Sequence, residues 1–182
     1  APSFTQEALE LLAKKPNVRV LITHDHFEKP YNLTSTRVAG GLLVQSVDHA
    51  QLNREECTVV SGQFDQSTWD DCVFAMKVCK HLKSNAIVVA KDGQTLGVGG
   101  GQSNRVGAAK IALEQAQSLS QGAVLASDAF FPMPDTVELA ASYGIKTIIQ
   151  PGGSIKDQLS IEVCKKEGIA MVFTHIRHFK HG

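Results

Sequence analysis

Four short apolar runs set the terms for this chain. NAIVVA (85–90), GAVLAS (122–127), IKTIIQ (145–150) and GIAMVF (168–173) each have the length of a buried strand. Helix-like stretches separate them, one opening after a glycine cluster, one at Pro134 and one at Ser154. Short apolar strands alternating with amphipathic helices specify an α/β layered sheet. Between Lys91 and Gln94 stands Asp92-Gly93, the pair that suits a type I′ turn, so the first run should fold back as a hairpin.

The rest of the chain is organised around that frame. Ser3-x-x-Gln6 reads as a capping box opening a helix through Leu12. VRVLIT (18–23) reads as a strand, residues 24–37 as a polar loop, and VAGGLLVQS (38–46) as a strand whose glycine pair marks a bulge. Ser67 is positioned to cap a long helix, TWDDCVFAMKVCKHLK, that carries Lys80 and His81 in its interior. With 182 residues the chain suits one domain spanning 1–182, long enough to bury a core.

Composition excludes several function classes. Lys+Arg and Asp+Glu both number 18, so bulk charge supports neither a nucleic-acid partner nor a membrane partner. No apolar run is long enough to span a bilayer and no signal peptide is visible. The first residues, Ala-Pro-Ser-Phe, are not a translation start, which points to a processed chain or a piece of a longer one. Cys57, Cys72, Cys79 and Cys164 form no C-x-x-C pair and read as buried, reduced thiols of a cytoplasmic protein, Cys72 and Cys79 on one helix face.

Strand ends that meet helix starts are where ligands gather in such folds, and four of these places are loaded. LGVGGGQSNRVGAAK fits neither the dinucleotide fingerprint nor the phosphate-binding loop. It does place Arg105 in the first turn of a helix, the wrong end of the dipole for a cation unless that cation holds an anion or a carbonyl. In SDAFFPMPD (127–135), Pro134 and Asp135 fit a helix start. Phe130 and Phe131 point to opposite sides if the segment is extended, leaving one ring for the core and one for a cleft, unless both are buried. In IIQPGGSIKD, Ser154 reads as a cap with Asp157 three on, either a tight turn or a site offering the amides of Ser154 and Ile155. The tail THIRHFKHG follows an apolar run directly, so it is either frayed or held in place with Arg177 as an anion ligand. HDHFE (24–28) resembles half of a zinc deaminase signature, but the P-C-x-x-C half is absent, so no zinc is expected.

Three long stretches then resemble one family. KSNAIVVAKDGQTLGVGGGQSNRVGAAKIALEQA, ASDAFFPMPDTVELAASYGIKTIIQPGGSIKD and GIAMVFTHIRHFKH are similar to the carboxy-terminal half of the bacterial bifunctional purine-biosynthesis enzymes. Those enzymes join phosphoribosylaminoimidazolecarboxamide formyltransferase (the AICAR transformylase) to IMP cyclohydrolase. The opening APSFTQEALELLAKK looks like the family's mid-chain segment, so the likeness runs from end to end. It implies a cytidine-deaminase-like layered sheet with helices on both faces and no zinc. It implies formyl transfer from formyl-tetrahydrofolate, as co-substrate, to the amine of aminoimidazole carboxamide ribotide, in a homodimer.

Carried over by position, the resemblance assigns Asn85, Arg105, Phe130 and Arg177 to the nucleotide substrate. It assigns Val106, Asp135, Ser154 and Ile155 to the folate. It also implies a structural potassium ion held in part by Asp128, although Leu82 and Ala86 are apolar where polar partners are expected. The family's catalytic Lys-His pair lies upstream, before a proline-and-glycine turn. Lys80-His81 stands in a different context here, so that role is not transferred. On this reading the upstream half and the cyclohydrolase domain are missing. The chain supplies binding walls without a catalytic base and is inactive alone. The alternative is a non-catalytic module that binds a purine precursor or folate.

Overall fold

The structure, a computed structural model, describes residues 1–23 and 32–180. They fall into two units, Ala1–Val47 and Asp48–Gly182.

In the first unit, α1 spans Gln6–Ala13. Its cap is Thr5, whose hydroxyl accepts the Ala8 amide at 3.2 Å, and not the expected Ser3. VRVLIT forms no strand. The segment exchanges two bonds with the chain start, Thr23 N to Ala1 O at 3.1 Å and Ala1 N to Leu21 O at 3.2 Å, which is too little for a ladder. Part of the expected loop is instead β1, Leu33–Val38, paired antiparallel with β2, Gly41–Ser46. Val38 faces Gly41, so Ala39-Gly40 is a two-residue turn, and Gly40 at φ 83° supplies its left-handed residue. The glycine pair makes a hairpin turn, not a bulge.

The second unit is a mixed six-stranded sheet with helices on both faces. β3 (Thr58–Ser61), α2 (Gln66–Cys79), β4 (Ile87–Lys91) and β5 (Gln94–Gly99) come first. α3 (Arg105–Ala116), β6 (Val124–Ser127), α4 (Asp135–Ser142), β7 (Thr147–Gln150), α5 (Asp157–Glu167) and β8 (Ala170–Phe173) follow. The strand order is β3-β8-β7-β6-β4-β5. β6, β7 and β8 run parallel, while β4 is antiparallel to β5 and β6, and β3 to β8.

Alternation along the strands divides the core. Ile87, Val89, Leu125, Ile148 and Met171 face α3, α4 and α5, meeting Ala112, Leu113, Val137, Ala140 and Cys164. Val88, Ala90, Val124, Ala126, Ile149 and Val172 face α2, meeting Trp69, Cys72, Ala75, Met76 and Cys79. α3 sits against β5 so closely that a Cβ on Gly97 would overlap the Ala112 carbonyl oxygen, and one on Gly99 that of Ala108.

The Asp92-Gly93 turn forms as read, with φ 53° and 67°. Asp71 of α2 completes it by accepting the amides of Asp92 at 2.9 Å and Gly93 at 2.8 Å. α2 begins on Asp65, which accepts the Thr68 amide at 2.8 Å, rather than on Ser67. It ends at Cys79, so Lys80 caps it and His81 lies beyond.

Candidate functional site

Because β6, β7 and β8 are parallel, their C-terminal ends leave the sheet on one side, and three segments meet there. β6 continues into Asp128–Phe131, β7 into Pro151–Ser154, and β8 into the tail from Thr174. A cleft of about 540 Å³ opens among them, lined by Phe130, Pro132, Gly153, Ser154, Ile155, Lys156 and Arg177. Four of the eight predicted substrate residues therefore share one cleft.

The phenylalanine pair splits between core and cleft. Phe131 is fully buried in the core, whereas Phe130 is half-buried and presents its ring to the cleft. The Arg177 guanidinium carbon lies 4.8 Å from the Phe130 ring centroid and 6.0 Å from that of Phe179. An arginine stacked on an aromatic face keeps its fork of donors available at the edge.

The tail is not frayed over the described residues. The His175 amide donates to Pro151 O at 3.1 Å and the His178 amide to Asp128 O at 2.9 Å. Ser84 N donates to Lys180 O at 2.9 Å, and Lys180 N to Ser84 Oγ at 3.2 Å.

Asp128 is the hub beneath the cleft. It is fully buried and pairs through Oδ1 with Arg105, itself only 7% exposed. The same oxygen accepts the Ala86 amide at 3.1 Å, and Oδ2 accepts the Ser84 hydroxyl. Arg105 also donates to Ala86 O at 3.3 Å, and its Nε is buried without a partner. The misplaced-looking cation at the start of α3 thus answers a buried carboxylate from the end of β6, which the sequence spacing gave no way to see. The carboxylate expected to help hold a potassium ion is thus committed to Arg105, the Ala86 amide and the Ser84 hydroxyl.

The remaining predicted residues are more dispersed. Asn85 is half-buried and donates from Nδ2 to Gln102 O at 2.8 Å; its amide donates to the same oxygen at 3.1 Å, and the Ser84–Asn85 peptide is cis. Val106, also half-buried, follows Arg105 in α3. Asp135 is exposed at the start of α4, with Oδ1 accepting the Thr136 amide at 2.7 Å.

Ser154 does not cap α5. Asp157 reaches back instead, its Oδ2 accepting the amides of Gly153 at 2.7 Å and Ser154 at 3.1 Å, while Ser154 Oγ accepts the Lys156 amide at 3.1 Å. The Ser154 amide expected to face a ligand is therefore used, and Ile155 is fully exposed at the rim. Neither Lys156 nor His178 is singled out by the sequence as a contact of the site. Lys156 lines the cleft with its Nζ 3.2 Å from Met133 Sδ. His178 turns inward, 4% exposed, to pair through Nδ1 with Asp48 Oδ2 at 2.5 Å.

No histidine lines the cleft among the described residues. His81 is exposed beyond α2, not mid-helix as expected, and His24 and His26 lie outside the described residues. Lys80 is occupied, donating to Asp48 O at 3.1 Å and Ala50 O at 3.2 Å. No group of three or more His, Cys, Asp or Glu gathers among the described residues. No helix there is long and apolar enough to cross a membrane. All four cysteines are free, with Cys57 half-buried and the others buried. Burial pushes the Cys72 and Cys164 thiols up to about 12, and pushes Cys79 up as well.

Among solved structures, RibD of Acinetobacter baumannii (form 2) matches with a TM-score of 0.41 and 19% identity, over 60% of this chain and 35% of that one. The diaminohydroxyphosphoribosylaminopyrimidine deaminase/5-amino-6-(5-phosphoribosylamino)uracil reductase of Thermotoga maritima matches with a TM-score of 0.40 and 22% identity, over 57% and 35%. These likenesses are partial, and nothing about this chain follows from them. The sequence matches are closer. The bifunctional purine biosynthesis protein PurH of Oceanobacillus iheyensis is 54% identical over the whole chain, and that of Prochlorococcus marinus subsp. pastoris is 56% identical. The chain spans about 36% of the length of the first of these relatives. The family model AICARFT/IMPCHase bienzyme matches residues 1–115. With that match and identity above one half along its whole length, the chain belongs to the AICARFT/IMPCHase bienzyme family.

Proposed function

We propose that this chain forms the nucleotide- and folate-facing walls of a formyltransferase site. In the reaction, the amine of aminoimidazole carboxamide ribotide attacks the formyl carbon of formyl-tetrahydrofolate. A C–N bond forms between the amine and the formyl carbon, the formyl C–N bond to the folate breaks, the amine nitrogen loses a proton, and the folate nitrogen takes one up as tetrahydrofolate leaves. The observation that carries this reading is Arg177 stacked on Phe130 at 4.8 Å in a cleft lined by two cations and no acid. Such a wall offers a flat face to a heterocycle and charge-assisted donors to an anion beside it. Ser154, Ile155 and Lys156 form the opposite rim, where the folate would lie. Asn85, Arg105, Val106 and Asp135 join the proposal through the family resemblance, Arg105 from beneath the cleft as the partner of Asp128.

The amine of an aromatic ring is a poor nucleophile, and general-base help is worth about 10²–10⁴-fold. The cleft lining holds no histidine or carboxylate, so we assign proton removal to the remainder of the protein, together with closure of the site against water. The isolated chain is then inactive, and the complete enzyme works as a cytoplasmic homodimer with a cytidine-deaminase-like sheet. The same missing base favours the second reading, a binding module for a purine precursor or folate.

A spectrophotometric assay of tetrahydrofolate release separates the two. It is run on this chain, on the remaining part of the enzyme, and on the mixture. Activity only in the mixture supports the wall role. Ligand binding without turnover in any arm supports the module. Full turnover by this chain alone would sink the assignment of the base elsewhere.

A further inference from the structure

Arg177 carries much of the proposed nucleotide recognition, yet it is exposed on a tail without regular secondary structure. Two ring faces do not fix a long side chain by themselves, so something must set the backbone beneath it. The adjacent residue is built for that. His178 is buried to 4% exposure, the reverse of Arg177 beside it. Its amide donates to Asp128 O at 2.9 Å, in the same loop that carries Phe130. Its ring pairs with Asp48, 130 positions away in sequence, at 2.5 Å.

Asp48 is itself tied down. Its Oδ1 accepts the Ala50 amide at 3.0 Å, and its backbone oxygen accepts Lys80 Nζ at 3.1 Å, at the end of α2. The imidazole thus joins the tail to α2 through two further residues, while its amide joins the tail to the Phe130 loop.

We propose that His178 is a positioning residue for Arg177, a role that rests on the nucleotide reading of the cleft. With the ring anchored to Asp48 and the amide anchored to Asp128, the backbone on the C-terminal side of Arg177 is held while its guanidinium lies across the face of Phe130. Replacing the ring leaves Asp48 Oδ2 without its His178 partner and frees the tail to move, which dilutes the binding-competent arrangement.

The test uses the full-length enzyme that carries this segment, with His178→Ala, His178→Asn, Asp48→Ala, the His178→Ala/Asp48→Ala double variant, and Arg177→Ala. The readouts are KM for the nucleotide, KM for the folate, kcat, and hydrogen exchange over residues 174–180. His178→Ala is expected to raise the nucleotide KM about tenfold, the scale of a lost hydrogen bond to a charged group, with the folate KM and kcat held. His178→Asn, whose amide can still donate near Nδ1, should recover most of the loss. The double variant should be no worse than either single one, because both remove the same link. An unchanged nucleotide KM in His178→Ala, with Arg177→Ala impaired, overturns the positioning role and leaves the nucleotide reading intact. An unchanged KM in Arg177→Ala overturns the nucleotide reading instead. Faster exchange over 174–180 in His178→Ala would then still support the anchor, and unchanged exchange would overturn it.

Discussion

Arg105 and Asp128 form an ion pair that water barely reaches, with the two side chains 6% and 0% exposed. The carboxylate also accepts from Ala86 N and Ser84 Oγ, so each of its oxygens has a protein donor. Desolvation of two charges offsets much of their attraction, and such a pair adds little net stability over an apolar one. Its removal by halves is another matter.

Arg105→Ala should destabilise the fold by about 3–5 kcal/mol, because it strands a buried carboxylate. The double variant Arg105→Met/Asp128→Leu should recover part of that loss, since no charge is left unpaired. Urea unfolding of the three proteins is the check. A single variant as stable as the parent would show that Asp128 finds water or another donor.

The second expectation concerns β5 under α3. Gly97→Ala places a methyl group where the Ala112 carbonyl oxygen stands, and α3 has to move away from the sheet. Overpacking of this kind costs about 1–3 kcal/mol. Gly41→Ala is the control, since a Cβ there meets nothing within 4 Å. Thermal melts should separate the two variants, and equal melting temperatures would mean that the close approach carries no constraint.

Acid should weaken the anchor of the tail. Burial pushes the Asp48 carboxyl up, but hydrogen bonds from the His178 ring and the Ala50 amide, with charge at His178 and Lys80, outweigh it and hold the carboxyl below its ordinary 3.8. A carboxyl depressed in the folded state binds fewer protons there than in the unfolded chain. Its contribution is therefore full above the unfolded value and fades as pH falls through the folded one. The stability difference between the parent and Asp48→Asn should shrink as pH drops below about 4. Denaturant titrations across that range decide it, and a difference that grows in acid would reverse the sign.

How much of this could be read from the residues depended on whether the deciding partner was near in sequence. β4, β6, β7 and β8 were legible because continuous apolar runs report burial on both faces. The Asp92-Gly93 turn was legible because its backbone demands positive φ at both positions. β3 was not, since an exposed edge strand of TVVS has neither periodicity nor a turn signal. LTSTRV looks like a loop and becomes a strand because GLLVQS lies opposite, while VRVLIT looks like a strand and has no ladder to join. Caps went astray by two residues, Ser67 for Asp65 and Ser3 for Thr5, because several capping types stand close together. At the site, Phe130 and Arg177 were legible as residue types out of place, whereas the partners of Arg105 and His178 lie 23 and 130 residues away.

Thiol chemistry gives the fourth expectation. Burial raises all four thiols, to about 12 for Cys72 and Cys164, so thiolate is scarce at neutral pH. Native labelling with a maleimide should modify Cys57 alone and slowly, and denaturation should release all four. Rapid native labelling of Cys79 would contradict its place under β4 and β6.

The two adjacent phenylalanines give the sharpest separation of fold from function. Phe131 is fully buried against the core that α3, α4 and α5 share with the sheet, so Phe131→Ala should cost about 3–5 kcal/mol of stability. Phe130 is half-buried and spends its ring on Arg177 and the cleft, so Phe130→Ala should cost far less stability. It should instead weaken nucleotide binding, because it removes both the stacking face and the support beneath the guanidinium. Arg177→Ala should weaken the same ligand by about 1.5–3 kcal/mol through loss of a charge-assisted contact. Phe130→Ala combined with Arg177→Ala should fall short of the sum, since each residue acts partly through the other. Calorimetry with the ribotide and urea unfolding on the parent and these four variants would test the division. Additive binding losses would show that the stacked pair is two independent contacts, and a large stability loss in Phe130→Ala would return that ring to the core.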